Sequence, residues 1–160
     1  MERLLSKPVI QAIGLGNVAG IRSMVAPSIV SDYFNSHQNI NLYKSRINFM
    51  QSPMTSAITK ALSMAEFAGD KLPGTPDRII LPQVLGRVAS GALVGATIFQ
   101  ANRENIIKGA VIGGLAALAA TYASFFARKF FGQKFSLKNS VAGAIEDALA
   151  VGGGAAIMRI

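Results

Sequence analysis

GAVIGGLAALAATYASFFA, residues 109–127, runs nineteen residues without a charged side chain and is followed at once by Arg128 and Lys129. As an α-helix this stretch rises about 28 Å, close to the ~30 Å hydrocarbon thickness of a bilayer. A basic pair directly behind such a segment is the usual anchor on the cytoplasmic side. The stretch therefore predicts a transmembrane helix and sets the class for the rest of the chain.

Four more apolar segments can be marked, at 8–30, 54–69, 82–101 and 140–158. Lipid-exposed backbone must satisfy its own hydrogen bonds, and these lengths suit helices rather than the roughly ten-residue alternating strands of a barrel. The expectation is an all-α, polytopic transmembrane helix bundle of about five spans, one membrane domain over residues 1–160. Segment 54–69 is the least regular, being short and carrying Lys60 and Glu66.

Composition agrees: 15% of residues are charged, against about 25% in soluble domains, and the mean hydropathy is +0.39. The opening MERLLSKP has the look of a signal peptide, but Arg22 interrupts the apolar run before a small-residue cleavage site, so a retained first span is expected. The Lys and Arg residues lie mostly between apolar runs, without a basic stripe or interleaved aromatics, so the formal charge of +8 does not point to nucleic acid. With five spans, the N-terminus and the 70–81 and 128–139 connections carry eight Lys and Arg, against five on the opposite side. That bias predicts a cytoplasmic N-terminus, in a bacterial inner membrane. The lack of cysteine excludes disulfides, thiolate metal sites and cysteine nucleophiles.

Sixteen glycines and twenty-four alanines recur at four-residue spacing, as in Gly16 and Gly20, Gly91 and Gly95, Gly109 and Gly113. In lipid, packing drives helix association, and small residues let backbones approach, so these mark contact faces within a protomer or between protomers of a homo-oligomer. Pro27, preceded by Gly14, Gly16 and Gly20, makes the first segment a candidate for a kinked or broken helix, the device with which transporters coordinate ligands. Residues 32–52, with Tyr33, His37 and Tyr43, read as an exposed loop with a short interfacial helix near 42–50.

Five of the eight acids, Glu66, Asp70, Asp77, Glu146 and Asp147, lie in or beside apolar segments. A charge at mid-helix costs about 2.5–3.5 kcal/mol on the insertion scale, so such residues pair or face a polar cavity. Arg22 and Arg87 sit in comparable positions, which suggests Arg22 against Glu66 or Asp70, and Arg87 against Glu146 or Asp147. Buried carboxylates of this kind can take up protons or cations, and they can equally serve only as glue between helices. The turn Asp70-Lys-Leu-Pro-Gly-Thr-Pro-Asp-Arg78 offers Lys71, Arg78 and the backbone around Gly74 and Thr75 to an anion such as a lipid phosphate. A rigid turn capping two helices explains the same residues. There is no G-x-S-x-G elbow, H-E-x-x-H, Walker loop or dinucleotide fingerprint, so no enzyme, metal or cofactor is expected.

Gly20-Ile-Arg-Ser-Met24 followed by Ala26-Pro27, Ala65-Glu66, Asp70 through Arg78, and Gly86-Arg87 with Ser90-Gly-Ala92 stand in this order along the chain. It resembles the bacterial integral-membrane family catalogued as domain of unknown function 4126. The resemblance implies a small multi-span bacterial membrane protein and no activity. It singles out Arg22, Glu66, Asp70, Lys71, Arg78 and Arg87. Acids following Gly/Ala-rich spans at Glu66 and Glu146 raise a further option, inverted repeats relating the first two segments to the last two. The functional expectation is passage of an ion or small solute of unknown identity through membrane-buried carboxylates paired with arginines. The alternative is a lipid-headgroup-binding or structural subunit in contact with membrane lipids.

Overall fold

The computed structural model describes residues 6–69, 80–135 and 139–160. Among them are seven α-helices and no strand: α1 (Lys7–Ile21), α2 (Val25–Ser36), α3 (Ile40–Tyr43), α4 (Pro53–Gly69), α5 (Leu81–Ala101), α6 (Ile106–Phe135) and α7 (Asn139–Met158). A single 3₁₀ turn, Asn48–Gln51, leads into α4. Two helical stretches, Leu81–Ala101 and Ile106–Ala127, are long and apolar enough to cross a membrane.

The first apolar segment is not one span. It breaks at Arg22, whose backbone is extended at φ −139°, and α2 starts three residues later. Pro27 does not make the break, because it falls in the first turn of α2, where no intrahelical N–H is required of it. The chain then turns back along itself. Lys7 and Gln11 from the start of α1 line one cavity with Tyr33, Phe34 and His37 from the end of α2. Gly154 of α7 likewise lies against both Val18 of α1 and Ile29 of α2. Helices α1 and α2 therefore form an antiparallel hairpin, with its tip at residues 22–24 and its mouth at Lys7 and His37.

Other boundaries also shift. Asp32 and Tyr33, expected in a loop, belong to α2, and the expected interfacial helix is divided into α3 and the 3₁₀ turn, which bury Leu42 and Met50. Helix α6 continues past Arg128 and Lys129 to Phe135, since Arg, Lys and Phe carry no helix stop. The basic pair thus lies on helix rather than in a connection. Because the first segment is a helix pair and α6 is one continuous helix, the two halves do not share the element pattern that inverted repeats require.

Helices α5 and α6 join through a tight turn. The Arg103 N–H donates to the Gln100 carbonyl at 3.1 Å and the Glu104 N–H to that of Phe99 at 2.8 Å, a Schellman closure of α5. Its left-handed residue is Arg103 at φ 59°, where glycine is the usual choice. The Arg103 side chain uses the position to donate to Asn41 Oδ1 at 2.8 Å, tying the turn to α3. Asn105 then caps α6 by accepting from the Ile107 and Lys108 N–H groups.

The glycine pairs close this arrangement from within. A Cβ at Gly95 would overlap the Gly109 carbonyl, one at Gly113 the Gly91 carbonyl, and one at Gly20 the Ala117 carbonyl. Gly16 packs on Gly113 and Ala116, so α1 runs parallel to α6 while α5 runs antiparallel to it. All three spaced pairs make contacts inside the chain.

Burial elsewhere is inverted. On α4, which Ser52 and Pro53 initiate, Ser56, Thr59 and Ser63 are buried, while Met54, Ile58, Leu62 and Met64 are exposed. Exposed apolar side chains continue around the bundle at Leu85, Val111, Leu115, Phe126, Ile145 and Leu149.

Candidate functional site

Breaking a helix inside a bundle frees carbonyls at one end and N–H groups at the other, and each must find a partner. At the hairpin tip those partners are side chains from three other helices. Arg87 of α5, 4% exposed, donates to the Gly20 carbonyl at 2.7 Å and to that of Ile21 at 3.3 Å. The Thr121 hydroxyl of α6 lies 3.2 Å from the Gly20 carbonyl and shares its proton between that oxygen and the closer Ala117 carbonyl of its own helix, at 2.7 Å. On the other side of the break, the two oxygens of the Glu66 carboxylate divide the α2 terminus. Oε1 accepts from the Ser23 N–H at 3.0 Å and from its hydroxyl at 3.2 Å, and Oε2 accepts from the Met24 N–H at 3.0 Å.

Charge and helix dipole agree at both ends, with a guanidinium at the carbonyl end of α1 and a carboxylate at the N–H end of α2. Between them Arg22, 2% exposed, reaches α7 and pairs with Asp147 at 2.6 Å. The Arg22 guanidinium also lies over the Phe67 ring, 5.3 Å from its centre. Arg87 stands six residues inside α5, about 9 Å from its first turn, so the cluster is well within the bundle.

Of the residues expected to form a polar centre, Arg22, Glu66, Arg87 and Asp147 converge on this tip, and Glu146 is partly buried beside Asp147. Among the described residues Arg22 pairs with Asp147, and Glu66 accepts from backbone N–H groups that the reversal at Arg22 exposes and that the sequence pattern does not reveal. Asp70, Lys71, Gly74, Thr75 and Arg78, together with Asp77, lie outside the described residues. Thr121 was missed for want of any signal: a threonine in an apolar helix is unremarkable until a broken helix end is set against it.

A family model described as a domain of unknown function, DUF4126, matches residues 9–160. The chain belongs to that family. Neither a curated protein nor a solved structure matches it. In this DUF4126 member the Gly20-Ile-Arg-Ser-Met string is the hairpin tip itself, and Glu66 and Gly86-Arg87 supply its two caps.

Two further polar features lie away from the tip. Asp32 of α2 accepts from Lys60 and Ser56 of α4. At the mouth of the hairpin, a cavity of about 230 Å³ is lined by Lys7, Gln11, Tyr33, His37 and Asn102 among others. No group of three or more metal-ligating side chains occurs among the described residues.

Proposed function

We propose that this chain is an integral protein of a bacterial cytoplasmic membrane that passes an ion or small solute, with α1 and α2 as a re-entrant hairpin and α4 to α7 as the spans around it. The observation that carries the reading is the convergence of Arg22, Glu66, Arg87 and Asp147 on a backbone break inside an otherwise apolar bundle. Broken helices within membranes are tolerated where protein or a polar pathway surrounds them, and they are where transporters hold ions and solutes. The apolar exterior of α4, with its serines and threonine turned inward, supports a lipid environment.

In this mechanism a proton or cation at the Glu66 carboxylate competes with the Ser23 and Met24 N–H groups and loosens the tip. The Arg22–Asp147 pair holds the charge balance of the closed form. A re-entrant hairpin returns the chain to the side it came from, which leaves seven Lys and Arg on the side of the N-terminus and six on the other. The charge bias that favoured a cytoplasmic N-terminus disappears with the five-span count.

The test is proton and cation flux in proteoliposomes, read with an internal pH dye and with tracer uptake. Flux in the native protein, abolished by Glu66→Gln and Asp147→Asn in protein that remains folded, supports the reading. Flux unchanged in both variants overturns it. A second reading is favoured by the fact that the tip charges already have partners within the chain. It is a structural or headgroup-binding subunit acting through Lys71 and Arg78. Native mass spectrometry separates the two: a retained anionic lipid, lost in Lys71→Ala and Arg78→Ala, favours the subunit.

A further inference from the structure

The cavity at the hairpin mouth is 230 Å³, roughly the volume of eight waters. Its polar atoms can be assigned one by one. Gln11, 5% exposed, donates its amide nitrogen to the Ile157 carbonyl at 3.3 Å, and Asn102 donates its own to the Ile98 carbonyl at 2.8 Å. The His37 ring stacks on Tyr33, and its Nδ1 lies 3.2 Å from the Tyr33 carbonyl. A carbonyl only accepts, so Nδ1 carries the proton and Nε2 is an open acceptor in the neutral ring. Gln11 Oε1, Asn102 Oδ1 and His37 Nε2 belong to residues that line the cavity and have no hydrogen-bond partner among the described residues, which leaves three acceptors for a ligand. Lys7 lines the same space from the start of α1 and makes neither an ion pair nor a hydrogen bond among the described residues. No carboxylate is among the described lining residues, and Phe34, Ile98 and Met158 supply an apolar wall.

One cation, several neutral acceptors and an apolar wall complement a molecule with a carboxylate, an N–H-rich cationic group and a small side chain. We propose that this cavity binds a small zwitterion of the α-amino-acid type, with its carboxylate on Lys7 and its ammonium on Gln11, Asn102 and His37. The site rests on the reading above only in naming the class of solute that would be passed; binding itself requires no flux.

Calorimetric titration of the purified full chain in mild detergent at neutral pH tests this with L-alanine and its two halves, propionate and ethylamine. Alanine binds at millimolar concentration or tighter, and each half binds about tenfold more weakly, as expected when one charge-assisted contact is lost. Lys7→Gln weakens alanine and propionate about tenfold and leaves ethylamine unchanged. Gln11→Leu weakens alanine and ethylamine and leaves propionate unchanged. Should the buried Gln11 variant fail to fold, the exposed Asn102→Asp replaces it and strengthens ethylamine binding about tenfold. No binding of alanine, binding equal in Lys7→Gln and the native protein, propionate as tight as alanine, or no gain in Asn102→Asp overturns the proposal. Alanine binding without flux of protons, cations or alanine would leave this site standing and remove the transport reading. Flux without alanine binding would do the reverse.

Discussion

Where α5 crosses α6, Gly91 and Gly95 meet Gly109 and Gly113 with backbone against backbone, and α1 joins them through Gly16 and Gly20. Where α2 faces α4, side chains make the contact: Asp32 with Lys60 and Ser56, and Glu66 with the α2 terminus. The first region is dry and depends on shape, so its cohesion is dispersion over closely approaching backbones. The second is held by directional bonds between groups that are costly to leave unpaired. The hairpin tip lies where the two meet, with α1 fixed by glycines on one side and by Arg87, Thr121 and Asp147 at its end. One face of the break is thus clamped by packing, and the other is held by a carboxylate that can be hydrated or displaced.

The largest effect is expected from unpairing the charge at the tip. Arg22→Met leaves Asp147, about one-quarter exposed, without its 2.6 Å partner. Breaking one side of a buried pair costs about 3–5 kcal/mol, whereas replacing both members by apolar residues is often neutral. Thermal unfolding in detergent should show Arg22→Met strongly destabilised and Arg22→Met with Asp147→Leu largely recovered. A double variant no better than the single would show that Arg22 matters through its other contacts and not through Asp147.

The glycine side is broken by volume instead of charge. Gly113→Val drives a branched side chain into the Gly91 carbonyl, and overpacking of this kind costs about 1–3 kcal/mol or more. Gly152→Ala, with nothing within 4 Å of its added carbon and in the interior of α7, should be at least as stable as the native protein, by up to about 1 kcal/mol. Equal melting temperatures for the two would remove close backbone approach as the cause of cohesion between α1, α5 and α6.

The two regions were unequally legible in the sequence. The glycine contacts could be read because a four-residue spacing puts both residues of a pair on one helix face, whatever the partner. The members of the tip could also be read, because Arg22, Glu66, Arg87 and Asp147 are charges in segments where charges are costly. Their pairing could not. It depends on the reversal at Arg22, and composition pointed to Pro27, which is harmless in the first turn of α2. Nor was Asp32 with Lys60 readable, since it joins residues 28 apart whose spacing has no meaning until α2 turns back toward α4.

A smaller and more selective change is expected at Glu66. Its two oxygens accept from two different N–H groups, so Glu66→Gln offers one acceptor and sets an NH₂ against the remaining donor. One unsatisfied buried N–H costs about 1–3 kcal/mol. The loss should be local: amide hydrogen exchange should accelerate at Ser23, Met24 and the first turn of α2 while α5 and α6 keep their protection. Uniform acceleration would mean that the polar and glycine regions unfold as one unit.

The smallest effect belongs to the ion pair on the outer limb of α2, beyond the first apolar segment. Asp32 accepts from Lys60 and from the Ser56 hydroxyl, and both members of the ion pair are about half exposed. Asp32→Asn keeps an acceptor for Ser56 and removes one charge, whereas Asp32→Asn with Lys60→Met removes both. Thermal unfolding in detergent should show Asp32→Asn less stable than the native protein by at most about 1 kcal/mol, and the double variant no worse than the single. A double variant clearly below the single would show that Lys60 holds α4 through contacts other than Asp32, and the link between α2 and α4 would then not rest on this pair of charges.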